Sequence, residues 1–172
     1  MLKKMKERGV EPNEFTYTCL IGGLAKHKKI DQAKKMLKYM KSMGLRPRVV
    51  TYNAFMSGLA HREKFADDQS YNRHVDEAIM ILKEMIQEGI RPNPSGVSVL
   101  IGAFGKCNHP RVTEALALVA KLEGEGIISK NNILISTALV QVLGAAGDFN
   151  GAMSRFRGIR KPDVAAVNAW LD

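Results

Sequence analysis

The residues that could do chemistry are few and scattered. Cys107-Asn108-His109 puts one thiol and one imidazole close together, but a structural zinc needs four ligands and the chain contains no CxxC pair. The other cysteine, Cys19, lies beside Leu20 and Ile21 and reads as a small core residue. The four histidines are too dispersed to build a metal site. A zinc deaminase would need His-x-Glu with CxxC, and a metal-dependent nuclease would need clustered acids. The CxxC half of the first does not occur, and Asp67-Asp68 stands in a polar stretch without partners at useful spacing. The glycine pairs Gly22-Gly23 and Gly144 to Gly147 lack the Lys-Ser or Lys-Thr of a phosphate loop. The expectation is therefore no catalysis, no cofactor and no metal.

What remains is charge. The chain carries 26 Lys plus Arg against 17 Asp plus Glu, a net +9. All of the excess lies in residues 1–48, which hold 13 basic and 4 acidic side chains, while the rest is balanced. A one-sided basic field is the usual footprint of a polyanion partner, with nucleic acid foremost, and it is also what a solvated helix face looks like. At 172 residues, 45% apolar and 25% charged, the composition is globular. No apolar run approaches the roughly 20 residues a membrane helix needs. Two cysteines are too few for a disulfide framework.

The elements that must position any site repeat along the chain. Gly9-Val10-Glu11-Pro12-Asn13 returns 35 residues on as Gly44-Leu45-Arg46-Pro47-Arg48 and 45 further on as Gly89-Ile90-Arg91-Pro92-Asn93. Gly126-Ile127 follows after 37 residues, and Lys161-Pro162-Asp163 restores the proline. Each block between these marks holds two apolar helical stripes. The first runs through Phe15, Tyr17, Leu20, Ile21 and Leu24, then Val50, Tyr52, Phe55, Met56 and Leu59. Leu100, Ile101 and Phe104 follow, then Leu139, Val140 and Leu143. The second aligns Ile30, Ala33, Leu37 and Met40 with Val75, Ala78, Leu82 and Met85. Val112, Ala115, Val119 and Leu122 come next, then Phe149, Ala152, Phe156 and Ile159.

The recurring alanine lets a partner helix approach closely. The glycines stop each second helix in a left-handed C-cap, and the following proline prevents its resumption. Asp31, Asp76, Thr113 and Asn150 stand where the second helices are expected to open, as caps or dipole partners. Gly147 reads as the turn inside the last hairpin. A helical hairpin of this kind cannot bury its apolar face alone; stacked neighbours complete the core.

This pattern, with its Val-Thr-Tyr-Asn-Ala opening and Gly-Ile-Arg-Pro-Asn close, resembles the pentatricopeptide repeat family. The tetratricopeptide alternative has a period of about 34 and an early tryptophan in its first helix; none of the complete first helices here carries one. The resemblance implies an all-α, right-handed solenoid of stacked helix-turn-helix repeats. Residues 1–13 are registered as the second helix of a truncated repeat, with Leu2 and Met5 where Leu37 and Met40 fall rather than in a targeting segment. Repeats follow at 14–48, at 49–93 with a loop insertion over 62–74, at 94–132 (degenerate, with Pro94-Ser95-Gly96 in place of an apolar opening) and at 133–163 (short). Residues 164–172 start another, so the chain reads as part of a longer array or as an array capped by further segments or partners.

In other helical solenoids the first helices line the concave side, and repeats of this kind read single-stranded RNA at one base per repeat. By resemblance, the base-specifying residues are the fifth and the last of each repeat. Here they are Thr18 with Arg48, Asn53 with Asn93, Ser98 with Asn132, Thr137 with Asp163, and Asn168 unpaired. The family's code implies purine, pyrimidine, adenine, guanine and pyrimidine in that order, 5′ to 3′, although Arg48 departs from the usual Asp or Asn. The second residues, Phe15, Val50, Ser95, Leu134 and Ala165, would sandwich the bases, with Ser95 a poor wall. Lys26 and Lys106 end first helices where family members approach the RNA backbone.

Lys34, Lys35, Lys38 and Lys41 occupy the non-core side of a second helix, with Lys3, Lys4 and Lys6 before them. They read either as a solvated face or as a dock for ribosomal RNA and protein in an organellar ribosome. A protein-binding scaffold is the third reading. The resemblance implies a mitochondrial or chloroplast setting and work in RNA stabilisation, processing, splicing or translation.

Overall fold

The structure, a computed structural model, describes residues 5, 7–61, 68–130 and 132–159. Among the described residues from Glu14 on there are eight helices and no strand. They are α1 (Glu14–Lys26), α2 (Ile30–Ser42), α3 (Val49–Ala60), α4 (Asp68–Gln87), α5 (Pro94–Gly105), α6 (Val112–Gly124), α7 (Ile133–Ala145) and α8 (Phe149–Gly158). The fold is an all-α solenoid of helical hairpins. Asp163, Ala165 and Asn168 lie outside the described residues, as do Leu2, Lys3, Lys4 and Lys6.

The loops end where backbone freedom permits. Gly9, Gly44, Gly89 and Gly126 all adopt left-handed φ, between 66° and 74°, and Gly147 makes the last interhelix turn at 76°. A Cβ would strain each of these backbones, so the recurrence of glycine is a conformational requirement.

The helices form two layers. The first helices α1, α3, α5 and α7 pack in a row, and each second helix lies against its own first helix; α4 and α6 also touch the first helix that follows. Backbones approach closely along the first-helix row but not between successive second helices. The first-helix layer is therefore the inner, shorter arc. Small residues permit this. A Cβ on Gly58 of α3 would lie 2.7 Å from the Ala25 Cβ and 2.8 Å from the Gly22 carbonyl oxygen of α1. One on Gly105 of α5 would lie 3.1 Å from the Val142 Cα of α7.

A continuous core fills the space between layers. Tyr52, Phe55, Met56, Leu59, Leu100 and Phe104 from first helices meet Leu37, Met40, Leu82, Met85 and Val119 from second helices. The four registered alanines, Ala33, Ala78, Ala115 and Ala152, are all buried, as close helix approach requires.

Five expectations are corrected. Residues 68–74 are not loop: α4 starts at Asp68, and its early turns bury Tyr71 and His74. Tyr71 anchors them because its hydroxyl donates to the Ala60 carbonyl, 3.1 Å away, at the end of α3. Asp76 is consequently mid-helix, where it accepts from Arg111 Nη2 at 2.7 Å instead of capping. Asp148, not Asn150, caps α8, accepting from the Gly151 amide at 2.9 Å. Cys19 and Phe149 are exposed, because each helix also carries positions that no neighbour covers.

Charged residues tie one hairpin to the next. Lys28 Nζ donates to the carbonyls of Leu59 (3.3 Å) and His61 (2.5 Å) at the C-terminal end of α3, where the helix dipole favours a cation. Arg91 Nε donates to the Ile127 carbonyl at 3.2 Å, after α6.

Candidate functional site

The inner arc carries most of the positions singled out by the repeat pattern. Phe15, Val50, Ser95 and Leu134 each stand second in a first helix. The three apolar ones are held open to solvent, at 74%, 67% and 50% exposure. Residues that the core could have absorbed are thus left outside, at equivalent places in α1, α3 and α7.

The last residues of the repeats have a second task. Asn13, Arg48, Asn93 and Asn132 are the N-cap residues of α1, α3, α5 and α7. Asn93 Oδ1 accepts from the Gly96 amide at 2.9 Å, and Asn132 Oδ1 accepts from the Leu134 amide at 3.1 Å. Capping consumes the carboxamide oxygen and leaves the Nδ2 donors of Asn93 and Asn132 as the groups to offer. Arg48 cannot accept a cap bond. Its backbone amide donates to Thr51 Oγ1 at 3.4 Å and its guanidinium pairs with Glu14 at 2.9 Å.

The fifth residues, Thr18, Asn53, Ser98 and Thr137, are all half-buried on the inner helices, neither sealed nor fully open. The structure brings together one of the expected pairs by a direct bond: Asn53 Nδ2 donates to Asn93 Oδ1 at 3.0 Å. Thr18 instead shares a hydrogen bond with Thr51 Oγ1 at 2.9 Å. Ser98 Oγ donates to the Ser95 carbonyl at 2.9 Å. Asn53 Oδ1 and Thr137 Oγ1 are shielded from solvent and find no hydrogen-bond partner among the described residues.

A groove of about 370 Å³ opens on this arc where α3, α5 and α7 meet. Ser98, Thr137, Leu134 and Lys106 all line it, so two base-specifying candidates, one wall and one cation converge on one space. Ser57 of α3, His61 just beyond its end, and Gln141 of α7 complete its polar lining. Sequence reading missed these last three. His61 occupies the column of Lys26, Lys106 and Ala145, and only the groove gives it a role. Lys26 and Lys106 are both exposed at first-helix ends.

The outer basic patch is a different object. Lys34 Nζ lies 2.5 Å from Glu77 of α4, and Lys41 Nζ lies 2.8 Å from Glu84 and also contacts Glu88. The Tyr52 hydroxyl donates to the other Glu88 oxygen at 2.7 Å, and Lys41 sits 5.9 Å from the Tyr52 ring centroid. Burial disfavours the charged form of Lys41, but hydrogen bonds to Glu84, Glu88 and Tyr52 outweigh it and raise its pKa. Burial, then the Glu88 carboxylate, pushes the Tyr52 phenol up. Burial also works against the Glu88 carboxylate, yet Lys41 and Tyr52 outweigh it and hold that carboxyl below its ordinary range. Acids on the next hairpin, invisible as partners in the sequence, thus pair with Lys34 and Lys41. Lys35 and Lys38 stay exposed.

Among the described residues no group of three or more His, Cys, Asp or Glu side chains could hold a metal, and no helix is long and apolar enough to cross a membrane.

Residues 1–62 match the family model described as the pentatricopeptide repeat domain, and residues 70–90 match that described as the PPR repeat. Among solved structures, the pentatricopeptide repeat protein PPR10 in complex with an 18-nt psaJ RNA element is similar in fold, with a TM-score of 0.71 at 23% identity over 94% of this chain. A cysteine-to-serine variant of PPR10 in complex with the same element gives the same values. PPR10 from maize gives a TM-score of 0.50 at 24% identity over 99% of this chain. The chain spans only 22% to 28% of the length of these structures. No curated protein sequence matches the chain.

Proposed function

This chain is a pentatricopeptide repeat protein, and from that premise we propose that its inner arc binds single-stranded RNA, selectively and at one base per repeat, without a chemical step. The observation that carries the reading is the groove where Ser98, Thr137, Leu134 and Lys106 converge. It offers hydroxyls for a base edge, an apolar surface for a base face and a cation for phosphate. The open Phe15 and Val50 continue the apolar track along the same arc.

An unpaired strand suits this surface, because a base must be splayed to lay its face on an aliphatic or aromatic side chain and its edge on an amide or hydroxyl. At roughly 1–3 kcal/mol per stacked base, opposed by ordering of the strand, so few repeats bind weakly. Lys26 and Lys106 add a salt-sensitive contribution. The setting that goes with this reading is organellar RNA metabolism: stabilisation, processing, splicing or translation in a mitochondrion or chloroplast.

Fluorescence anisotropy with the full chain tests the reading. A labelled strand carrying purine-pyrimidine-A-G-pyrimidine is expected to bind more tightly than the same strand in a duplex, and more tightly than a scrambled strand. Equal affinity for single strand and duplex, or no binding at low salt, would overturn it.

A further inference from the structure

At two steps of the inner row, α1 to α3 and α3 to α5, the third residue of one helix faces the fifth residue of the helix before it. Thr51 of α3 receives Thr18 of α1 in a hydroxyl–hydroxyl bond of 2.9 Å. The same place in α5 is Gly96, and it has no side chain to offer Asn53 of α3. The Asn53 side chain fills that space: a Cβ on Gly96 would stand 2.1 Å from Asn53 Oδ1 and 2.8 Å from its Cγ. That oxygen is shielded from solvent and has no hydrogen-bond partner among the described residues. The orientation of the amide follows from the network. Asn93 Oδ1 is fixed as an acceptor by the Gly96 amide, 2.9 Å away, so Asn53 must present Nδ2, not Oδ1, across the 3.0 Å contact to it.

We propose that Gly96 is a positioning residue for base selection: by lacking a side chain it parks Asn53 Oδ1 against α5, so the Asn53/Asn93 pair offers a ligand N–H donors and no open carboxamide acceptor. The inference rests on the RNA-binding reading above and deepens it at one position. A pair of donors matches a base edge with neighbouring acceptors, such as O2 and N3 of cytosine, and leaves the ring N–H of uracil without a partner. A side chain at Gly96 would expel the Asn53 oxygen and restore that partner. The displaced atom is the far end of a flexible side chain, and alanine suits a helix better than glycine, so the substitution leaves the fold intact.

The test compares the full chain with Gly96→Ala, and with Gly124→Ala on an outer helix, where a Cβ meets nothing within 4 Å. Short single-stranded RNAs differing only in cytidine or uridine opposite Asn53/Asn93 are titrated. Gly96→Ala is expected to shift the uridine-to-cytidine affinity ratio towards uridine by roughly three- to tenfold, the scale of one hydrogen bond, while Gly124→Ala leaves it alone. An unchanged ratio in Gly96→Ala would overturn the proposal. The side-chain amide resonances of Asn53 in the RNA-free chain provide a readout independent of RNA. They are expected to move in Gly96→Ala only, and their staying in place would also overturn it. Failure of the unsubstituted chain to bind any of these RNAs would instead strike the proposed function, with the amide resonances still deciding the role of Gly96.

Discussion

The inner and outer arcs of this solenoid hold neighbouring hairpins together by different means. On the inner arc, α1 meets α3 through Gly58, Gly22 and Ala25, and α5 meets α7 through Gly105 and Val142, at distances that leave no room for a Cβ. On the outer arc, α2 is joined to α4 by long side chains, with Lys34 on Glu77 and Lys41 on Glu84 and Glu88. The first is a steric contact between nearly bare backbones, which fixes spacing. The second is an adjustable strut, and solvent-screened surface ion pairs of this kind, here only partly exposed, are individually worth about 1 kcal/mol. The lesson concerns the basic excess of residues 1–48. Charge that resembles a polyanion dock in the sequence is partly spent on adhesion between hairpins, while the inner arc keeps small uncharged groups at regular intervals.

The comparison breaks most visibly at Gly58. Gly58→Val forces α3 away from α1 against backbone atoms that cannot yield, and should cost about 3 kcal/mol, the upper range of overpacking, read as a lower urea midpoint. A smaller loss should follow Asn93→Ala, about 1 kcal/mol for a helix N-cap, with the cytidine and uridine strands both weakened.

The outer struts give smaller effects with a clear sign. Lys34→Glu with Lys41→Glu should lower stability more than Lys35→Glu with Lys38→Glu, a pair expected to stay within about 0.5 kcal/mol of the parent. Equal losses would mean that the struts carry no special share. The pH dependence follows from the same cluster. Glu88 has a folded pKa below its unfolded one, so its contribution is present above the ordinary glutamate pKa and fades as pH falls through the folded value. Lys41 has a folded pKa above its unfolded one, so its contribution is complete below the ordinary lysine pKa and is lost as pH rises through the folded value. Glu88→Gln should flatten the acid limb of a stability-versus-pH curve and leave the neutral region nearly level.

The fold was legible wherever local physics decides. Gly9, Gly44, Gly89 and Gly126 marked helix ends because only glycine takes their φ freely. The stripes through Phe55 and Leu59, or Leu82 and Met85, marked buried faces because helical period alone sets them. Features that depend on neighbours were not legible. The length of α4 was hidden because Tyr71 finds its partner at the Ala60 carbonyl, and the exposure of Cys19 and Phe149 because nothing in a stripe says whether a neighbour covers it.

At the site, the columns of second, fifth and last residues could be written down from the repeat. Their hydrogen bonds could not. The bond between Asn53 and Asn93, the pairing of Thr18 with Thr51, and the diversion of Arg48 to Glu14 all require coordinates. Thr51 and Gly96 hold the same register position in their repeats, and its meaning appears only once adjacent inner helices are seen in contact.

The central claim is that the inner polar ladder, not the outer charge, selects the ligand. Exchanging Asn53→Thr together with Asn93→Asp, and measuring affinity for strands that differ only at the base opposite that pair, tests it most directly. The account predicts that preference moves from pyrimidine to guanine there and nowhere else, and that reversing Lys35 and Lys38 leaves the preference intact. A preference unmoved by the double exchange, with binding abolished by the outer charge reversal, would contradict it.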